Sequence, residues 1–277
     1  MPLLPRLRPD LVVYEQSDVG AAKAARDAGV PFVSHVIGRS MPSAILEMAA
    51  AEMAWMWDGD EPADLMLGDT AIDIWPDAVR DRQVAELPRV IRQRPVPFDL
   101  DAPMPELTSG KPLVYLTLGT VAFGATEVLR AAVDGLARLP VEVLVAVGPG
   151  DPALLGEVPA NVRIAGFVPQ AEVLRRADLV VHHGGTGTVL GTLVAGLPQL
   201  VLPQGADQFV NADALTEAGA ARKLLGEEIT ADAVAEAAAL LLDDPSVRNV
   251  AVKVAAEIAR LPAPAEVVGQ LAELARA

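Results

Sequence analysis

Seven consecutive residues, His182-His183-Gly184-Gly185-Thr186-Gly187-Thr188, combine ring nitrogens, hydroxyls and glycines in a way that suits an anion. They follow an apolar run ending in Val180-Val181 and precede an apolar helical pattern, which reads as strand, tight turn, helix. Glycines let main-chain N–H groups approach a ligand closely. The helix N-terminus offers unpaired N–H groups with positive partial charge, and His183 and Thr188 can add donors. Phosphate is the chemistry such a loop serves, although a glycine turn with no ligand would carry the same residues. His182, at the strand end, reads as structural. Further on, Gly196-Leu197-Pro198 introduces a strand that runs into Pro203-Gln204-Gly205-Ala206-Asp207-Gln208-Phe209. A carboxylate beside an amide supplies both acceptors and donors to vicinal hydroxyls. Asp207 is equally placed to cap the helix that begins near Phe209.

The elements around these residues alternate. Leu113–Leu118, Val141–Val147, Val162–Ala165, Leu179–His182 and Gln199–Leu202 are short apolar runs separated by helical patterns, the pattern of a parallel, doubly wound α/β sheet. Upstream, Leu11–Tyr14, Ala21–Ala28 and Pro31–Ile37 read as strand, helix, strand. Ser43–Trp57 has the spacing of an amphipathic helix with one face to bury. The stretch from Arg94 to Pro112 is spaced by prolines and a glycine, including Pro95, Pro97, Pro103, Pro105 and Gly110, and has no apolar period, which reads as a linker. Helices are expected over Thr230–Asp243, Val250–Ala259 and Ala265–Arg276.

Composition excludes several functions. The 277 residues carry 37 acidic and 22 basic side chains, a net charge of -15 that repels nucleic acid and anionic membrane. The chain contains no cysteine, so thiolate nucleophiles and disulfides are excluded and a reducing cytoplasm fits. The expectation is a cytoplasmic protein without export signal or membrane span. A nicotinamide-dependent dehydrogenase is disfavoured, since neither Leu11–Gly20 nor Leu113–Gly124 contains Gly-x-Gly-x-x-Gly.

The stretch Val180 to Asn211 resembles the donor-binding signature of the family 1, UDP-glycosyltransferase-like enzymes, especially the bacterial natural-product members. The likeness extends through Gly166-Phe167-Val168-Pro169-Gln170 and Leu116-Thr117-Leu118-Gly119-Thr120. It implies a GT-B fold of two Rossmann-like domains, the N-terminal one incomplete. Residues 1–97 would be a partial acceptor domain, 98–110 a linker and 111–261 the donor domain. Residues 262–277 would form a helix packing back on the first domain. The implied reaction moves a hexose or deoxyhexose from a nucleoside diphosphate (TDP or UDP) to a hydroxyl of an apolar natural product, with inversion. It calls for no cofactor beyond the nucleotide sugar and no metal. His183, Gly185, Thr186, Gly187 and Thr188, with Gly119 and Thr120, would cradle the diphosphate. Phe167 would lie against the base, the Val168 main chain would bond its edge and Gln170 would reach the ribose, while Asp207 and Gln208 would hold sugar hydroxyls. Phe167 could equally fill a core position. Plant members carry a glutamate for ribose hydroxyls where this chain has Gly191, which favours a thymidine donor.

The N-terminal portion departs from the pattern. Family members open with a strand and a loop bearing a histidine base, whereas Pro9-Asp10-Leu11-Val12-Val13 resembles a later strand. The usual base is therefore expected to be missing, leaving Glu15 as an orphaned acidic partner, and turnover by this chain alone is doubtful. A nucleotide-sugar-binding protein or truncated pseudoenzyme is the rival reading. Methionines 41, 48, 53, 56 and 66, with Trp55 and Trp57, form an apolar cluster. Trp55 and Met56 are candidate acceptor contacts, with ordinary core packing the competing role. His35, at a strand end, reads as a core residue.

Overall fold

The computed structural model describes residues 3–39, 48, 51, 52, 55, 66–97, 102–107, 110–119 and 125–276. The chain divides into two compact units, one formed by Met1–Arg94 with Arg260–Ala277 and the other by Pro95–Ala259.

The first unit holds a parallel sheet of four strands in the order β1 (Val12–Glu15), β2 (Phe32–Val36), β3 (Thr70–Asp73), β4 (Arg89–Arg92). Helix α1 (Val19–Asp27) connects β1 to β2, its first turn capped by Asp18, whose carboxylate accepts the Ala21 N–H at 3.1 Å. The strands β3 and β4 were not anticipated. Asp73 breaks the apolar run of β3 and arginines begin and end β4, so neither shows the uninterrupted pattern of a buried strand. The buried Asp73 charge is paired, with Arg80 Nε 2.6 Å from its Oδ2. The C-terminal helix of the chain (Pro264–Leu274) belongs to this unit, where Val267, Leu271 and Leu274 pack on Val33, Ile72 and Ile91.

The second unit is a six-stranded parallel sheet containing β5 (Leu113–Thr117), β6 (Glu142–Ala146), β7 (Val162–Ala165), β8 (Leu179–His182), β9 (Gln199–Val201) and β10 (Ala221–Lys223). The spatial order is β10-β9-β8-β5-β6-β7. Both faces are covered, so side chains of β5 alternate between two cores. Val114 and Leu116 join helices α2 (Thr126–Leu136) and α6 (Ala231–Asp243), while Leu113 and Tyr115 join Val173 and Leu174 of α3 (Gln170–Leu174). Each fully buried leucine stabilises this unit by about 1.5–3 kcal/mol. Strand β10 was also not anticipated, since its Ala-Arg-Lys sequence at the sheet edge carries no apolar pattern. Helix α4 is Thr186–Ala195 and α5 is Gln208–Glu217. Helix α7 (Pro245–Ile258) starts five residues before the expected Val250, with Asp244 as its N-cap, and packs on α4.

Met104 and Leu107, from the stretch read as linker, pack against the core around Leu113 and Tyr115. A Pro-rich segment thus serves as covering for the sheet. Among the described residues no helix is long and apolar enough to cross a membrane.

Candidate functional site

In the six-stranded sheet the chain runs from β5 outward through β6 and β7, then returns to place β8 on the other side of β5. Ligands of doubly wound sheets bind beyond the carboxyl ends of the strands at this reversal. A cavity of about 450 Å³ lies there, lined by Thr117 at the end of β5 and Gly119 just beyond it, Phe167 and Val168 after β7, and His183 and Gly185 to Thr188 after β8.

The loop is built from the inside. His182 is fully buried, accepts the Gly184 N–H on Nδ1 at 2.9 Å and lies 2.8 Å from Gln199 Oε1 through Nε2. A ring that accepts on Nδ1 carries its proton on Nε2, which then donates to Gln199. Burial drives its pKa down to about 3, with the neighbouring His183 adding to the fall and the Gln199 bond opposing it. His182 is therefore a neutral strut, as its strand-end position implied.

His183 is 8% exposed, and its ring sits between two glycines. A Cβ on Gly119, whose φ is +75°, would meet the imidazole Cε1 at 2.5 Å, and one on Gly185 would fall inside contact distance of Nε2. Only residues without a side chain admit the ring. Burial lowers the His183 pKa, against the charge of Asp207 and hydrogen bonding to the Thr117 main chain, while Nδ1 is buried with no hydrogen-bond partner among the described residues.

Helix α4 begins at Gly185, which offers no side-chain cap, and the first helical bond runs from Val189 N–H to the Gly185 carbonyl. Thr186, Gly187 and Thr188 of its first turn border the cavity. No lysine or arginine occurs among the described lining residues, so an anion placed there would meet N–H dipoles, hydroxyls and His183.

Nine of the sequence-derived donor residues line this cavity: Gly119, Phe167, Val168, Gln170, His183, Gly185, Thr186, Gly187 and Thr188. Thr120 and Met56 lie outside the described residues. Phe167 is 55% exposed and fills no core position. Asp207 and Gln208 stand apart from the lining. Asp207 occupies the N-cap position of α5 without making a capping bond, and its Oδ2 instead accepts from Thr186 Oγ1 at 2.9 Å and Asn211 Nδ2 at 3.1 Å. Gln208 turns its carbonyl back to the Gln204 and Gly205 N–H groups at 2.7 and 3.1 Å.

The sequence reading assigned no role to Tyr115, Thr117, Ala146, Gly148 and Gly166 of the lining, nor to Asn211. Tyr115 lines the cavity, its buried hydroxyl donating to Gln170 Oε1 at 3.4 Å. Asn211 ties the loop to α5. A tyrosine in an aliphatic strand and an asparagine four residues after Asp207 were the available signals. At Gly191 a Cβ would meet Leu174 Cδ1 at 3.1 Å and Gln170 Nε2 at 3.6 Å, so Gln170 occupies the space a longer side chain there would enter.

In the first unit, the Glu15 carboxylate accepts the Ser17 N–H at 3.1 Å and bonds the Ser17 hydroxyl, and Glu15 of β1 lies opposite His35 of β2 in the backbone register. Burial lowers the His35 pKa and Glu15 opposes the shift. Met48 and Trp55 are 69% and 83% exposed, not buried.

The family described as erythromycin biosynthesis protein CIII-like, C-terminal domain, matches residues 130–274. The L-demethylnoviosyl transferase of Streptomyces niveus is 35% identical over 95% of this chain and 71% of its own length. The solved glycosyltransferase SnogD from Streptomyces nogalater aligns at 29% identity with a TM-score of 0.75, over 99% of this chain and 76% of that one. The spinosyn rhamnosyltransferase SpnG, solved with thymidine diphosphate, aligns at 27% identity with a TM-score of 0.83, over 97% of this chain and 74% of that one. With a family match over half its length and a relative this similar, the chain belongs to the erythromycin biosynthesis protein CIII-like family of natural-product glycosyltransferases, which have the GT-B fold.

Proposed function

We propose that the second unit binds a nucleoside-diphosphate sugar, with thymidine diphosphate favoured, and that the hexose or deoxyhexose passes with inversion to a hydroxyl of an apolar natural product met by the first unit. The observation that carries the reading is the cavity bordered by the open N-terminus of α4, with His183 held between Gly119 and Gly185. In the transfer the acceptor oxygen bonds to the sugar's anomeric carbon as the carbon–oxygen bond to diphosphate breaks. The acceptor proton passes to a base, for which this chain offers no assigned residue. The departing diphosphate gathers negative charge where the α4 N–H groups, Thr188 and His183 can meet it, which favours departure. Phe167 gives the base a flat apolar surface, and Gln170 stands where the ribose would pass.

Gly191 supports the thymidine preference, because no carboxylate is available there for a ribose 2′-hydroxyl. A relative solved with thymidine diphosphate adds to that support. The absence of cysteine fits a cytoplasmic setting.

Calorimetry with thymidine diphosphate tests the site. Saturable 1:1 binding is expected, weakened by about 1.5–3 kcal/mol in His183→Ala through loss of a charge-assisted donor. Unchanged affinity in a folded His183→Ala protein removes His183 from the site. Tighter binding of uridine diphosphate overturns the thymidine preference.

A further inference from the structure

We infer that Asn211 is a positioning residue that fixes the phosphate loop and the Asp207 carboxylate together, and so sets how strongly the site prefers a nucleotide sugar to the bare nucleotide. The inference rests on the proposed role of Asp207 as a reader of sugar hydroxyls.

Asn211 lies on the first turn of α5 and is fully buried. Its Nδ2 donates to the Gly184 carbonyl at 2.8 Å and to Asp207 Oδ2 at 3.1 Å, and lies 3.4 Å from Thr186 Oγ1. A carbonyl and a carboxylate can only accept, so the amide has one orientation that satisfies them. That orientation leaves Oδ1 buried without a hydrogen-bond partner among the described residues. An apolar residue of similar size would fill the space without an unpaired acceptor, which points away from packing as the reason for an amide here.

The two main partners belong to different parts of the site. Gly184 starts the turn whose next residues border the cavity. Asp207 heads α5, and the Thr186 hydroxyl joins it to α4 at 2.9 Å. One amide therefore spans the diphosphate loop and the carboxylate. With Oδ2 taken by Thr186 and Asn211, Asp207 is held in one rotamer and Oδ1 is the oxygen left to meet a hydroxyl. Ala206, beside it, has φ +51°, an uncommon value for a residue with a side chain, so the backbone leading into this carboxylate is itself constrained.

Calorimetry on the 277-residue chain with thymidine diphosphate and thymidine-diphosphate-glucose tests this, read as the ratio of the two affinities. Asn211→Ala is expected to lower the preference for the sugar-bearing ligand about tenfold, the size of one hydrogen bond of roughly 1.4 kcal/mol. In an Asp207→Ala background the same substitution is expected to lower it no further, because both residues act through one carboxylate. Thr186→Val, which removes one of the two donors to Oδ2, is expected to lower the preference less, and it decides the matter if Asn211→Ala fails to fold. A lower melting temperature with the ratio unchanged makes Asn211 a fold residue only and overturns the inference. An unchanged ratio in Asp207→Ala overturns the sugar-reading role of Asp207 and this inference with it. A ratio that falls in Asp207→Ala but not in Asn211→Ala or Thr186→Val sinks the inference alone.

Discussion

Helices α1 and α4 occupy equivalent places, each following a strand of a parallel sheet, yet their first turns are finished differently. Asp18 closes the start of α1 with its own carboxylate. At α4 the N-cap is Gly185, and the N–H groups of the first turn stay open beside the cavity. The polar groups beyond the strands divide less simply. Around β3 and β4, Asp73 is taken by Arg80 and by the Trp75 N–H at 2.9 Å, and Arg92 bonds Asp77. Buried atoms without a hydrogen-bond partner among the described residues occur in both units, Trp75 Nε1 and Arg92 Nε in the first and His183 Nδ1 in the second. A capped helix start holds a fold, while an uncapped start beside a cavity leaves N–H groups that a ligand can complete.

The contrast can be broken first at the glycines. Gly119→Ala combines positive φ with a clash against the imidazole, and is expected to cost about 1–3 kcal/mol of stability and to abolish diphosphate binding. Thermal melts and calorimetry check both. Normal binding in that variant removes the ring-between-glycines arrangement as the basis of the site.

Acid unfolding sharpens the contrast next. The unfolded His182 titrates near 6.5 and the folded one near 3. Between those values the unfolded chain binds a proton that the folded chain does not, so stability falls as pH drops through that window. The slope is up to about 1.4 kcal/mol per pH unit. His182→Gln should flatten the dependence in denaturant titrations at pH 4–7, and an unaltered slope contradicts the assignment.

A smaller effect is expected at the closed helix. Asp18→Ala should cost about 0.5–2 kcal/mol in stability through loss of the cap, with diphosphate affinity unchanged. Smallest is Gly187→Ala, where a Cβ meets nothing within 4 Å. A gain of about 0.4–1 kcal/mol in melting experiments is expected, since alanine has less freedom to lose on folding. Destabilisation there would show that the start of α4 is tighter than its geometry implies.

How much was legible in the sequence follows the range of the interactions. The loop from His182 to Thr188 is readable because strand, turn and helix signals stand side by side within one short stretch. Strands β5, β6, β8 and β9 are readable because burial on both faces leaves them largely apolar, while β7, at the sheet edge with Arg163 inside it, is read from Val162, Ile164 and Ala165. Strands β3, β4 and β10 are not, since the charges within them are balanced by partners distant in sequence or lie at a sheet edge. Asn211 and Tyr115 were missed for the same reason, as their roles exist only once α5 and α3 are in place. The early start of α7 was encoded locally in Asp244-Pro245, a capping residue followed by proline at the first helical position.

A crystal structure of this chain with thymidine diphosphate tests the central claim most directly. The account predicts the diphosphate over the start of α4, its oxygens within hydrogen-bond distance of the Gly185–Thr188 N–H groups and of the His183 ring, with the base beside Phe167. A nucleotide bound elsewhere, or a diphosphate out of reach of both α4 and His183, would contradict it.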